Sequence, residues 1–387
     1  MRYDVFVTVW GQTFVGKFVN LSLVSQLAKG NLPALATNAD VFYHIYTDKA
    51  SREYFEPKLV ELSKYVKVQF YYFDEIPFGS GNLEQAILNS DVTTIKHNVQ
   101  RITANHMLSG LKDSAAVLLD SDFIIADGSL DRMHCLRNKG KRAVMTTLLR
   151  LNESTASDVL HKDLVFHLEA RDLVKFCIKY MHPIFAEYFM DSNHPTHYPS
   201  QLNWWVGNSE KNPYTRSGFV TQCLFPHPLM VEPNLLASSS GAKYFSTMDY
   251  DYALRVVADD DIYLSKNSDE ILVCKVSPEQ YRANNNGAEP LSGERMAHFI
   301  LNNTNIRHRL FLDQLVYFVA DNNGDWDKIG QNAAYFIEKT YKIVDAIVSQ
   351  LSIADPITTV YLKSFLGPIE NFISPQVQSR IRNFLPK

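Results

Sequence analysis

Residues 115–133 read AAVLLDSDFIIADGSLDRM: an apolar run, two carboxylates two positions apart, a second apolar triplet and a turn. Ala115 to Leu119 is short for a helix and lacks a 3.6-residue period, so it reads as a buried strand. Asp120 and Asp122 then stand at the end of that strand. Strand side chains alternate, so these two project to one side and Ser121 to the other. Two convergent carboxylates suit a hard divalent cation, Mg²⁺ or Mn²⁺, which is usually held by one or two carboxylates together with phosphate oxygens of a substrate. The pair reads as a clamp for a metal and a diphosphate. Asp is also common in turns, and a solubilising turn at a strand end is the plainer reading of the same residues.

The flanks narrow the choice. A helix-like segment, Ile102 to Leu111, leads in; Phe123, Ile124 and Ile125 follow, and Gly128-Ser129-Leu130 closes the turn. This order of helix, apolar strand, L-D-x-D and G-x-L resembles the D-x-D region of the GT-A nucleotide-sugar glycosyltransferases, and within them the family-8 enzymes. The resemblance spans about residues 3 to 275 and is strongest at 115–130. The H-x-x-G-x-x-K-P-W of the retaining family-8 enzymes is absent downstream, which leaves inversion or retention of configuration open.

The resemblance implies a transferase that moves a sugar from a nucleotide-diphosphate donor to a glycan, lipid-linked or protein hydroxyl acceptor, with Mn²⁺ or Mg²⁺ on Asp120 and Asp122. It implies that Thr8, Trp10 and Gly11 after the first strand, Thr47 and Asp48 after the second, and Ser121 surround the nucleoside. Lys96 or Arg101 would reach the diphosphate, or else would lie on a solvated helix face. Farther on, FPHPLMVEP (225–233) carries His227, and FSTMDYDY (245–252) carries Asp249 and Asp251. By the same resemblance His227 would complete the metal shell, and Asp249, paired with Asp251, would take the acceptor proton. A histidine at a core edge and structural carboxylates are the plainer readings. A metal-dependent phosphate or sugar-ester hydrolase and a non-catalytic sugar-binding protein are the alternative functions.

Working outward, Tyr3 to Trp10 and Val41 to Tyr46 read as buried strands, with helical spacing at Leu21, Val24 and Leu27 between them. A helical Tyr54–Tyr65, a third strand at Val66–Phe73 and a long helix over Asn89–Gly110 then lead to the Asp120 strand. This alternation predicts a mostly parallel α/β sheet flanked by helices, Rossmann-related and GT-A-like, whose ligands bind beyond the carboxyl ends of the strands. Neither G-x-G-x-x-G nor G-x-x-x-x-G-K-[ST] occurs, so the phosphate-binding loops of dinucleotide and P-loop folds are missing.

Later segments are looser. Ala143–Leu149 reads as one strand, Leu168–Phe189 as helical, and Ile262–Val276 as two strands around a Lys266–Asp269 turn. The polar loop with His194 and His197 lacks a zinc framework. Trp204 and Trp205 beside amides could stack on sugars, though paired Trp is more often core. After Pro278 the chain becomes linker-like over Tyr281–Gly293. Glu294–Leu301, Arg307–Val319 and Trp326–Leu351 then read as helices, giving a catalytic domain at 1–278 and a helical appendage at 279–387. Its basic end (Arg380, Arg382, Lys387) suits packing on its own domain or peripheral contact with a membrane.

A formal net charge of −4 over 387 residues argues against a nucleic-acid binder that works by bulk electrostatics. Cys135, Cys177, Cys223 and Cys274 form no C-x-x-C pair and read as isolated reduced thiols. With no signal-like segment at Met1 and no long uncharged apolar run, a cytoplasmic location is expected, and the sequons at Asn20, Asn152 and Asn302 carry no message.

Overall fold

The computed structural model describes residues 1–90, 92–111, 113–163, 168–190, 200–207, 216–232, 253–254, 257–280, 291–304 and 306–354. Two compact units emerge: Met1–His182 with Pro226–Gln280, and Pro183–Phe225 with Tyr281–Lys387.

In the first unit the chain forms β1 (Arg2–Thr8), β2 (Asp40–Thr47), β3 (Lys67–Tyr72), β4 (Pro77–Phe78), β5 (Gly81–Asn82), β6 (Ala115–Leu118), β7 (Phe123–Ile125), β8 (Ala143–Thr146) and β9 (Leu148–Asn152). The second unit holds β10 (Gln201–Val206) and β11 (Gly218–Cys223). The first resumes with β12 (His227–Val231), β13 (Ile262–Leu264) and β14 (Val273–Ser277), and β15 (Val316–Val319) belongs to the second.

The main sheet has the order β13-β8-β12-β6-β1-β2-β3. β1 pairs in parallel with both β2 and β6, β2 with β3 and β8 with β13, while β12 runs against β6 and β8. The mixed α/β class expected from the alternation is the one observed. β1 and β6 are buried almost from end to end, as strands covered on both faces must be, which is why they read as near-continuous apolar runs. Helices Leu32–Asn38, Val92–Gly110 and Ser129–Asn138 pack on β2, β1 and β8. The core beneath gathers Tyr3, Val5, Val7, Phe18, Tyr43, Ile45, Val117, Phe123 and Val273.

Several local readings change. The helix after β1 begins at Gln12 and passes through a π-helical turn, Phe18–Ser22, before ending at Gln26. Ala143–Leu149 is two strands broken at Thr147, with β8 in the main sheet and β9 in a second sheet of order β7-β14-β9. β13 and β14 likewise part to different sheets instead of forming a hairpin. Cys177 and Cys274 are not isolated: their sulfurs lie 3.1 Å apart in the interior, and all four cysteines are free thiols.

In the second unit, Arg307–Val319 is not one helix. It ends helically at Leu312 and continues as β15, because Val316–Val319 pairs antiparallel with β11. The sheet β10-β11-β15 and helices Gly293–Asn303 and Trp326–Ala354 enclose a core of Leu202, Trp204, Val206, Val220, Met296 and Ile337. Trp204 is thus a core residue, and Trp205 stacks on Phe189 with centroids 3.8 Å apart. His194, His197, Asp249, Asp251 and the basic C-terminus lie outside the described residues. Among the described residues no helix is long and apolar enough to cross a membrane.

Candidate active site

From β1 the chain steps to β2 and β3 on one side, whereas β6 lies on the other. The strand order therefore reverses between β1 and β6, and in open α/β sheets a ligand crevice forms beyond the carboxyl ends of the strands at such a reversal. Thr8, Trp10 and Gly11 leave β1 at this point, and Asp120, Ser121 and Asp122 leave β6.

Asp120 and Asp122 sit in a turn closed by the Phe123 amide donating to the Asp120 carbonyl at 3.2 Å, not on the strand itself. They converge nonetheless. Lys275 Nζ lies 2.7 Å from Asp120 Oδ2 and 3.6 Å from Asp122 Oδ1. Its strand, β14, is locked to the turn: Lys275 stands opposite Phe123 in the β7 ladder, and the Val276 amide donates to the Asp122 carbonyl at 2.9 Å. Burial alone would lower the affinity of this ammonium for its proton. The charges of Asp120 and Asp122 outweigh burial and raise its pKa. A single cationic centre shared by both carboxylates is the convergence that a hard divalent ion asks of such a pair, so the donors fit one.

Helix Val92–Gly110 covers this crevice. Gln100 Nε2 is 3.4 Å from Asp120 Oδ1, and the Thr103 and Thr8 hydroxyls are 2.7 Å apart. Thr8 therefore ties β1 to the helix. Arg101, half-buried on the same helix, donates to Asn98 Oδ1 at 3.4 Å. Lys96 belongs to the helix, but its side chain lies outside the described residues.

The residues expected around a nucleoside hold one another. Asp48 accepts from the Ser51 amide (2.7 Å), the Ser51 hydroxyl (2.9 Å) and the Gly11 amide (3.1 Å). It caps the short helix after β2 and fastens the β1 loop to it. Gly11 takes a φ of 78°, which a residue with a side chain adopts only under strain. Trp10 sets its ring edge-on to Phe73, with centroids 5.5 Å apart. Thr47 is buried, and its hydroxyl has no hydrogen-bond partner.

His227 opens β12. Its Nε2 donates to the Leu118 carbonyl at 2.8 Å, and its ring meets Phe123 edge-on. It braces the end of β6. Among the described residues no three His, Cys, Asp or Glu side chains gather as a metal-holding group, so His227 is not brought together with Asp120 and Asp122.

Beside Asp122 opens a cavity of about 550 Å³, counting its open mouth, lined by Phe14, Leu21, Ser22, Ser121, Ile124 and Val276 among others. Lys17 and Glu153 form an ion pair at its rim. The π-helical turn supplies Leu21 and Ser22 to this lining. Lys275 is the site residue that the sequence does not disclose. Its one signal is a charged residue in the middle of the otherwise uncharged VCKVS strand.

No protein-family profile and no curated protein matches the sequence. Solved structures overlap with part of it. One is Staphylococcus aureus TarS 1–349, at 13% identity and a TM-score of 0.27, covering 39% of this chain and 37% of that one. Mouse xyloside xylosyltransferase 1 overlaps at 15% identity and 0.27, covering 42% and 59%. The 4-diphosphocytidyl-2C-methyl-D-erythritol synthase of Anaerococcus prevotii overlaps at 12% and 0.23, covering 38% and 55%. The chain thus spans less than two thirds of the length of each.

Proposed function

We propose that this protein is a glycosyltransferase that uses a nucleoside-diphosphate sugar together with Mn²⁺ or Mg²⁺ and passes the sugar to a hydroxyl acceptor. The observation that carries the reading is the pair Asp120 and Asp122, held on one cationic centre at the reversal of strand order between β1 and β6. A bound divalent ion would supply charge neutralisation for the departing diphosphate. Asp120 and Asp122 are the residues that would hold it. Gln100 orients Asp120, and the cavity beside Asp122 offers a partly apolar space from which water can be displaced. Asp249, with Asp251 beside it, is proposed from the sequence alone as the proton acceptor for the incoming hydroxyl.

Thermal unfolding of the full chain with UDP, GDP, CMP and dTDP, each with Mn²⁺ or with EDTA, tests this reading. One nucleotide should stabilise the protein in Mn²⁺ only, by about 2.7 kcal/mol at a hundredfold excess over its dissociation constant. An equal shift in EDTA overturns the metal part of the reading. Release of free sugar with no acceptor dependence would reassign the protein as a hydrolase.

A further inference from the structure

Lys275 already occupies the charge position that the proposed metal needs. Its ammonium is within 4 Å of one oxygen of each carboxylate, and its backbone cannot retreat, because β14 is paired with β7 on one side and β9 on the other. Arg150 stands in register with Lys275 on β9, and its guanidinium donates to Ser277 Oγ at 2.7 Å. Lys275 thus already offsets charge of both carboxylates without an added ion, and a second cationic side chain stands beside it in the ladder.

We propose that Lys275 is a tethered counter-cation that keeps divalent metal off Asp120 and Asp122 until a diphosphate arrives, so that metal and nucleotide bind as a pair. This inference rests on the function proposed above. A divalent ion held by these carboxylates would face an ammonium 2.7 Å from one of their oxygens, and the two positive charges repel. The ammonium must swing aside. Once displaced, it and Arg150 add positive charge to a site that now also holds the ion. A diphosphate removes that excess and offers Lys275 acceptor oxygens in place of the carboxylates. Metal alone therefore binds poorly, metal with diphosphate binds well, and by linkage each raises the affinity of the other by the same factor. Only the side chain has to move, since the amide of Val276 stays on the Asp122 carbonyl.

The test is calorimetric titration of Mn²⁺ into the full-length protein, first alone and then with the nucleoside diphosphate that gives the largest thermal shift. Wild type is compared with Lys275→Met, Lys275→Gln and Lys275→Arg, each checked for folding by its unfolding transition. Met and Gln should tighten binding of Mn²⁺ alone by roughly tenfold or more and shrink the enhancement by nucleotide, while Arg keeps the wild-type pattern. Two neutral variants guard against one that fails to fold. Equal affinity for Mn²⁺ alone in wild type and both neutral variants overturns the role of Lys275 and leaves the metal reading standing. Absence of Mn²⁺ binding in every variant, with and without nucleotide, overturns both.

Discussion

The ammonium of Lys275 lies 2.7 Å from a carboxylate oxygen of Asp120, a residue 155 positions away in the chain. This contact joins two sheets of the first unit, because Asp120 follows β6 of the main sheet and Lys275 belongs to β14 of the smaller one. Both side chains are less than a quarter exposed, so water screens the pair only in part. The same contact thus has a structural consequence as well as the functional one argued above.

Removing either partner strands the other charge in a partly buried site. Asp120→Asn and Lys275→Met should each destabilise the first unit, and the double variant should lose less than the sum. A coupling of about 1 to 2 kcal/mol is expected from a double-mutant cycle of urea unfolding midpoints. Additive losses would show that the pair contributes nothing beyond its separate parts.

Asp4 sets an acid limit on stability. It is wholly buried on β1, with His44 Nε2 at 2.7 Å and Arg2 at 2.8 Å. Burial opposes its ionised form, but the hydrogen bonds from His44 and Arg2 prevail and hold its pKa at about 2. A folded pKa below the unfolded value of about 3.9 adds stability that is full above pH ~4 and is lost as pH falls through about 2. The span is worth about 2.6 kcal/mol. Urea unfolding should therefore show a fall between those pH values in wild type that is much smaller in Asp4→Asn.

Much of this could be read from the chain because parallel strands covered on both faces leave unbroken apolar runs, as at Val41–Tyr46 and Ala115–Leu119, and the carboxylates that end such runs stand out. The reading failed where the decisive partner is distant. Val316–Val319 is apolar and follows a helical segment; only its ladder with β11 makes it a strand. The sequence likewise does not show that Asp48 caps the next helix and ties loops through Gly11 and Ser51, a structural role beside the ligand contact expected of it. Lys275 is the one charged residue in a strand that is otherwise buried, and nothing local ties it to Asp120.

Gly218 is a sharp test of the second unit. It sits in β11 at a φ of 144°, and a Cβ there would fall 2.0 Å from the Phe318 carbonyl oxygen and 2.7 Å from the Trp326 ring. The obstacle is backbone of the paired strand β15, so relief requires the ladder to shift. Gly218→Ala should cost more than about 3 kcal/mol and expose Trp326, read as a red shift in tryptophan emission. A stability within about 0.5 kcal/mol of wild type would contradict this packing of β11 on β15.

Asp122 and Asp249 should separate donor binding from acceptor chemistry. Asp122 is the more exposed of the pair on Lys275 and lies in a turn, so Asp122→Asn should unfold like wild type while losing metal-dependent nucleotide binding and, with it, turnover by roughly a hundredfold or more. Asp249→Asn removes the proposed base, a loss of about 10² to 10⁴ in rate, and should leave the Mn²⁺-dependent thermal shift with nucleotide intact. Both variants would therefore be poor catalysts, and only one would still bind donor. Loss of the thermal shift in Asp249→Asn would move this residue to the donor side of the site. Transfer with retained anomeric configuration would remove the need for a base on the acceptor and with it this assignment, even if the variant were inactive.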